Sequence, residues 1–244
     1  MAQNVYDTEE FFRAYSYLQR SREGLDGAGE WPTMRNLVGS VSEADIIDVG
    51  CGYGWFCRWA SEGGARSVHG IDVSKRMLER AQSYPADPQI KYMLGDLESI
   101  DLAANTYDLV YSSLTLHYLP DLRSVIHRIA TCLKSGGRFV FSVEHPVWTA
   151  SPNATWQTDS AGNGFWPLKD YAKEGLRVSK WLGAGEVHKY HHRTETYLSS
   201  LIESGFTIDA VRESWEGMDD SCKAEHKDSG HRPYFLIVRA RKGQ

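Results

Sequence analysis

The chain is poor in the features that define several large protein classes. No stretch approaches the roughly 18 consecutive apolar residues that a membrane-spanning helix needs. Cysteine is scarce and scattered, at Cys51, Cys57, Cys132 and Cys222, with no close pair and no zinc-type spacing. A reduced setting is therefore expected, with neither a disulfide framework nor a metal site. Positive charge is not in excess: 27 Lys and Arg face 32 Asp and Glu, a net charge of -5. That balance argues against generic affinity for nucleic acid, which needs a basic surface. The opening Met1-Ala2-Gln3-Asn4 lacks a charged-then-apolar leader pattern, so a soluble cytoplasmic protein is expected.

What remains is an ordinary globular mixture, 41% hydrophobic and 24% charged over 244 residues. This length suits one large domain, or a domain carrying an insertion. The most informative stretch is Ile46-Ile47-Asp48-Val49-Gly50-Cys51-Gly52-Tyr53-Gly54. Ala44 to Val49 reads as a buried strand holding one carboxylate, and Trp55 to Ala60 as the first turns of a helix. Alternating glycines between strand and helix let the backbone pass close to a ligand, because no Cβ stands in the way. The free N–H groups of the helix start then face a polar or anionic group. The dinucleotide fingerprint wants glycine or alanine where Trp55 stands, and an indole obstructs that packing. The D-x-G-x-G-x-G spacing instead suits a ligand with an amino-acid group, whose ammonium Asp48 can hold.

Along the rest of the chain, strands and helices alternate. Asp7 to Arg20 has helical spacing, with Thr8 at the N-cap position and an aromatic set of Tyr6, Phe11, Phe12, Tyr15 and Tyr17. These rings either pack the helix on the core or close over a ligand. A short helix follows from Trp31-Pro32. Ser67 to Ile71 reads as the second strand, ending at Asp72, 24 residues after Asp48. A carboxylate there can accept both hydroxyls of a ribose. Ser74 caps the next helix. Ile90 to Leu94 is the third strand and runs into Gly95-Asp96-Leu97, a second acid at a strand end. Tyr107 to Tyr111 is the fourth strand, Pro120-Asp121 opens a helix, Lys134 to Gly137 is a turn, and Arg138 to Val143 is the fifth strand. Such alternation demands parallel crossovers and a sheet covered on both faces. Ligands of such sheets sit beyond the carboxyl ends of the strands, where Asp48, Asp72, Asp96, Ser112 and Glu144 fall.

In order and spacing, Asp48 to Gly54, Gly70-Ile71-Asp72, Gly95-Asp96-Leu97 and Tyr107 to Tyr111 resemble the motifs of class I S-adenosylmethionine-dependent methyltransferases. The resemblance spans roughly Val41 to Val143. It implies an α/β fold: a Rossmann-like, seven-stranded, mostly parallel sheet with helices on both faces and the last strand antiparallel. It implies S-adenosylmethionine as cofactor, with Gly50, Cys51, Gly52 and Gly54 under the methionine part beside Asp48. Asp72 would take the ribose, Val73 the adenine face, Asp96 the adenine amine and Leu97 the ring. The Ser112–Leu114 segment would pass near the sulfonium, and Tyr15 is the N-terminal ring assigned to the cofactor. The expected division is 1–40 for N-terminal helices over the cofactor, 41–145 with 192–244 for the catalytic domain, and 146–191 for an inserted cap.

The cap region is too aromatic for disorder and too long for a plain loop, with Trp148, Trp156, Phe165, Trp166, Tyr171 and Trp181. It suggests a partly aromatic pocket for a small-molecule methyl acceptor, methylated at oxygen or nitrogen. Nucleic acid and membrane are not expected as partners, and a homodimer is the assembly considered. If the acceptor arrives protonated a base is needed, and His145 and His117, each following a strand, are the candidates. Lys189, His191, His192 and Arg193 read as a basic edge or a solvated helix start. Thr194 to Ser204 is a helix closed by Gly205, and Phe206 to Glu213 and Pro233 to Arg239 are the last strands, with a mobile loop expected over Trp215 to His231. An oxidoreductase using NAD(P) and a non-catalytic S-adenosylmethionine-binding protein are the alternatives.

Overall fold

The aromatic N-terminal segment is broken rather than continuous. A 3-10 turn at Val5–Asp7 leads into α1 (Glu9–Ser16), and after an extended Leu18 the chain starts α2 (Gln19–Arg22). Thr8 occupies the N-cap position, but its hydroxyl donates back to the Val5 carbonyl at 2.8 Å and caps nothing. The break turns Arg20 toward the sheet instead of leaving it on an outer helical face. The computed structural model describes residues 3–151, 153–214 and 232–243. The loop expected over Trp215 to His231 lies outside them.

The helix α3 (Trp31–Val38) starts with Pro32 in its first turn, where a missing N–H costs nothing. Then come β1 (Asp45–Val49), α4 (Trp55–Glu62), β2 (Ser67–Asp72) and α5 (Lys75–Gln82). The Ser74 hydroxyl accepts from Met77 N and caps α5 as expected. Next are β3 (Ile90–Leu94), β4 (Tyr107–Ser113), α6 (Leu122–Cys132) and β5 (Leu133–Glu144). The expected turn at Lys134 to Gly137 is absorbed into β5: Leu133 already pairs with Tyr107, and the register shifts between Tyr107 and Leu109.

The cap consists of α7 (Pro146–Ala150), the two-residue strands β6 (Gln157–Thr158) and β7 (Gly164–Phe165), and the hairpin of β8 (Gly175–Lys180) with β9 (Glu186–His191). The chain returns through α8 (Thr194–Glu203), β10 (Phe206–Ser214) and β11 (Phe235–Lys242).

The main sheet has seven strands in the order β10-β11-β5-β4-β1-β2-β3. β1 to β5 pair in parallel, and β11 runs antiparallel to both β5 and β10. Both faces are covered. On one, Ile47, Val110 and Phe141 meet Ile126 and Ile129 of α6 and Tyr197 and Leu201 of α8. On the other, Ile46, Leu109 and Val140 meet Met34 and Val38 of α3 and Phe56 and Ala60 of α4. Neighbouring isoleucines thus point to opposite layers, as the two-residue period requires, each burial contributing about 1.5–3 kcal/mol. The sheet is Rossmann-like, and its order leaves a crevice above the carboxyl ends of β1, β2 and β4. Among the described residues no helix is long and apolar enough to cross a membrane.

Candidate functional site

The loop after β1 carries three glycines in the left-handed region, at φ 83°, 52° and 69° for Gly50, Gly52 and Gly54. Gly50 N and Cys51 N both donate to the Ile71 carbonyl, at 2.8 and 2.9 Å, which ties the turn to the end of β2. A Cβ on Gly50 would lie 1.9 Å from Thr115 Oγ1, and one on Gly54 would lie 2.2 Å from the Tyr92 hydroxyl. At Gly52 nothing lies within 4 Å. Gly54 therefore makes room for Tyr92 and does not line the crevice, whereas Gly52 opens onto it.

Asp72, at the end of β2, accepts from Gly52 N through Oδ2 at 2.8 Å and from Ser74 N through Oδ1 at 2.9 Å. Burial raises its pKa to about 6 against the pull of those N–H groups. Asp48 is 2% exposed, and its one side-chain hydrogen bond among the described residues comes from the Cys57 thiol at 3.5 Å. Burial lifts it further, to about 8. A buried acid with so weak a donor is a site where a ligand cation would hold the ionised form.

Around that acid the N-terminal break supplies a polar group. The Arg20 guanidinium donates to Glu30 Oε1 at 2.8 Å and to Ser113 Oγ at 3.3 Å, and Ser113 Oγ donates to Glu30 Oε1 at 2.9 Å. Glu30 Oε2 is buried without a partner among the described residues. Asp48, Cys51, Tyr15, Arg20 and Glu30 line one arm of the crevice, which meets the other arm at Gly50 and Gly52. Guanidinium and carboxylates at one end match the zwitterion of a methionine moiety. An open glycine and a half-buried Asp72 come next, with Val73, Asp96 and Leu97 beyond. The donor set fits S-adenosylmethionine.

The second arm, about 970 Å³ including its open mouth, has an aromatic wall. The hydroxyls of Tyr6 and Tyr118 lie 2.9 Å apart, and Trp181 of the cap packs edge-on against Phe11 at 5.7 Å and Tyr15 at 6.3 Å. Leu114 borders it at φ 53°, held by its N–H to the Ser142 carbonyl at 2.9 Å. A leucine in that conformation costs about 1–2 kcal/mol and persists only where its surroundings impose it.

Several expected residues are placed elsewhere. Ser112 is fully buried and donates to the Val49 carbonyl at 3.0 Å. β4 runs two residues further than its pattern indicated, and the rest of the expected segment, Ser113 and Leu114, does border the crevice, together with Thr115. His145 does not reach it. Its Nδ1 accepts from Val147 N at 3.1 Å, capping α7, and its Nε2 meets Glu213 Oε1 at 3.0 Å. His117 does line the crevice, with Nδ1 accepting from Glu144 N at 3.4 Å. Burial pushes its pKa down to about 3, so it is a neutral ring with little appetite for a proton. Lys189, His191 and His192 are buried at the end of β9, not solvated. In the cap, Trp148 and Trp166 stack at 5.2 Å with Arg232 3.8 Å above the Trp148 ring, away from the crevice; Trp181 alone of the cap tryptophans lines it. Among the described residues no cluster of His, Cys, Asp and Glu is set to hold a metal.

Comparison with known proteins bears on this geometry. A family model described as a methyltransferase domain matches residues 47–141. The crystal structure of an S-adenosylmethionine-dependent methyltransferase from Mesorhizobium loti is 41% identical, with a TM-score of 0.81 over 90% of this chain and 100% of that one. A putative S-adenosylmethionine-dependent methyltransferase from Listeria monocytogenes is 37% identical, with a TM-score of 0.80 over 88% of this chain and 99% of that one. A malonyl-[acyl-carrier protein] O-methyltransferase of Pseudescherichia vulneris is 28% identical over 73% of this chain and 78% of its own length.

Proposed function

The chain belongs to the class I S-adenosylmethionine-dependent methyltransferases, and from that premise we propose that it methylates an oxygen or nitrogen of a small, aromatic or moderately apolar molecule. The observation that carries the proposal is the aromatic second arm, walled by Tyr6, Tyr15, Tyr118 and Trp181 directly beside Gly52 and Asp72. Asp72, Val73, Asp96 and Leu97 line the same crevice on the cofactor side, and the edge-to-face rings of the aromatic side suit a planar acceptor.

Bound there, S-adenosylmethionine supplies a methyl group already activated on a sulfonium. The chain's work is then alignment and exclusion of water. Arg20, Glu30, Asp48, Cys51 and Tyr15 would hold the amino-acid end beside the Gly50–Gly52 turn. Asp72 would accept the ribose hydroxyls, Val73 and Leu97 would flank the adenine, and Asp96 would accept from its amine. The segments 1–40 and 146–191 meet through Phe11 and Trp181 and cover the acceptor.

Transfer from methyl-labelled S-adenosylmethionine to a panel of phenols, aromatic amines, carboxylic acids and malonyl-loaded acyl carrier protein tests this. Label should appear on phenols or aromatic amines. Label confined to the carrier protein would contradict it.

A further inference from the structure

We propose that Glu144 receives the methyl acceptor and selects a neutral O–H or N–H donor, a phenol or an aromatic amine, over a carboxylate. This rests on the reading of the aromatic arm as the acceptor site. Glu144 is the last residue of β5, at the carboxyl edge of the sheet, and it lines the crevice at 5% exposure. Its Oε1 accepts from Lys189 Nζ at 2.6 Å. Its Oε2 is buried and has no partner among the described residues, so it is the oxygen left for a ligand. A buried acceptor without a donor is destabilising, more so when charged, and a ligand N–H or O–H would relieve that cost.

The surroundings keep Glu144 ionised. Against the effect of burial, the Lys189 ammonium holds its carboxyl below the usual range. Lys189 is itself buried at 7% exposure, 4.9 Å from the Trp181 ring centre and 5.8 Å from that of Tyr118. The charge of Lys189 is thus committed to Glu144 and does not neutralise an incoming anion. A carboxylate in the arm would meet Oε2 with like charge in a poorly solvated wall. A hydroxyl or amine would meet it with a proton.

The step balances without a further reactant. The new carbon–oxygen or carbon–nitrogen bond forms as the carbon–sulfur bond breaks, and the acceptor's proton passes to Oε2. The sulfonium and carboxylate charges vanish together, and Glu144 returns the proton to solvent as product leaves. A carboxylate held ionised is a weak base toward a free phenol, so the proton crosses only once the oxygen lone pair is committed to carbon. The depressed ring of His117 is not needed for this.

Phenol and benzoate share a ring and differ in the group offered to Oε2, so they are the probes. Their affinities for the protein saturated with S-adenosylhomocysteine can be read by ligand-observed NMR at neutral pH. Wild type should prefer phenol by about tenfold or more, the worth of one charged hydrogen bond. Glu144→Gln should weaken phenol about tenfold and admit benzoate. Because that substitution strands a buried ammonium, Glu144→Gln/Lys189→Gln serves as the second variant and should likewise lose the preference. Benzoate binding wild type as tightly as phenol, binding of neither probe, or an unchanged preference in both variants would overturn the assignment. S-adenosylhomocysteine binding, followed in the same series, should persist in all three proteins. Its absence from wild type would sink the methyltransferase reading itself, a separate failure.

Discussion

Gly50, Gly52 and Gly54 share a left-handed backbone and do different work. Gly50→Ala drives a methyl against Thr115, with three of its atoms within 2.7 Å, and should cost about 2 kcal/mol or more in a melting experiment. Gly52→Ala meets only backbone strain, about 1 kcal/mol, yet puts a methyl where the ligand passes. Calorimetry should show its S-adenosylhomocysteine affinity down about tenfold or more at nearly unchanged stability. Equal stability loss in both variants would undo this division of roles. Two acids of the crevice carry a pH signature. Asp48 and Asp72 hold their protons more tightly folded than unfolded, with pKa raised from 3.8 to about 8 and about 6. Stability should therefore fall as pH rises through those windows. His69, His117, His145, His191 and His192, all lowered from 6.5 by burial, work with the opposite sign as their unfolded-state protons leave around that pH. The difference between variant and wild type from pH 6.5 to 8 isolates Asp48: Asp48→Asn should shift the slope of melting temperature against pH upward and weaken S-adenosylhomocysteine binding. An unchanged slope would mean that Asp48 is not the titrating group.

At the scale of elements, the strand–glycine–helix unit and the acids ending β1 and β2 were legible because each follows from local pattern: a buried run, a glycine repeat, a carboxylate at a fixed offset. Arg20 and Glu30 were not, because the break after Tyr17 that aims Arg20 inward is imposed by tertiary contacts. Ser112 and Ser113 show the limit of period-two reading, since two extra residues in β4 decide which serine borders the crevice. His145 stands at a strand end, but a cap and an ion pair turn it away. The aromatic cap signal was real yet divided, most of it stacking near Arg232 and only Trp181 reaching the site. That last contact yields a prediction. Gln3 bridges to the cap hairpin, donating to the Glu186 carbonyl at 3.0 Å and accepting from His188 N at 2.8 Å, and Phe11 meets Trp181. The N-terminal segment and the Trp181 turn between β8 and β9 thus both border the crevice, and S-adenosylhomocysteine should slow amide exchange in both while leaving β6–β7 unchanged. Protection confined to the glycine loop would contradict that coupling.

Across the whole molecule, the sheet order does the positioning. With β4 and β2 on either side of β1, Asp48, Asp72 and Ser113 converge on one crevice from separate parts of the chain. The dinucleotide alternative gives way to the family the chain belongs to. Trp55 fills the helix start and packs so closely over Gly24 that a Cβ there would lie 2.7 Å from its ring. The most direct test is a titration of S-adenosylhomocysteine into the protein by calorimetry and thermal shift, with NADH alongside. Micromolar binding is predicted, with about 2.7 kcal/mol of added stability at 100-fold excess over Kd and no response to NADH. Silence toward S-adenosylhomocysteine, or comparable binding of NADH, would contradict the account.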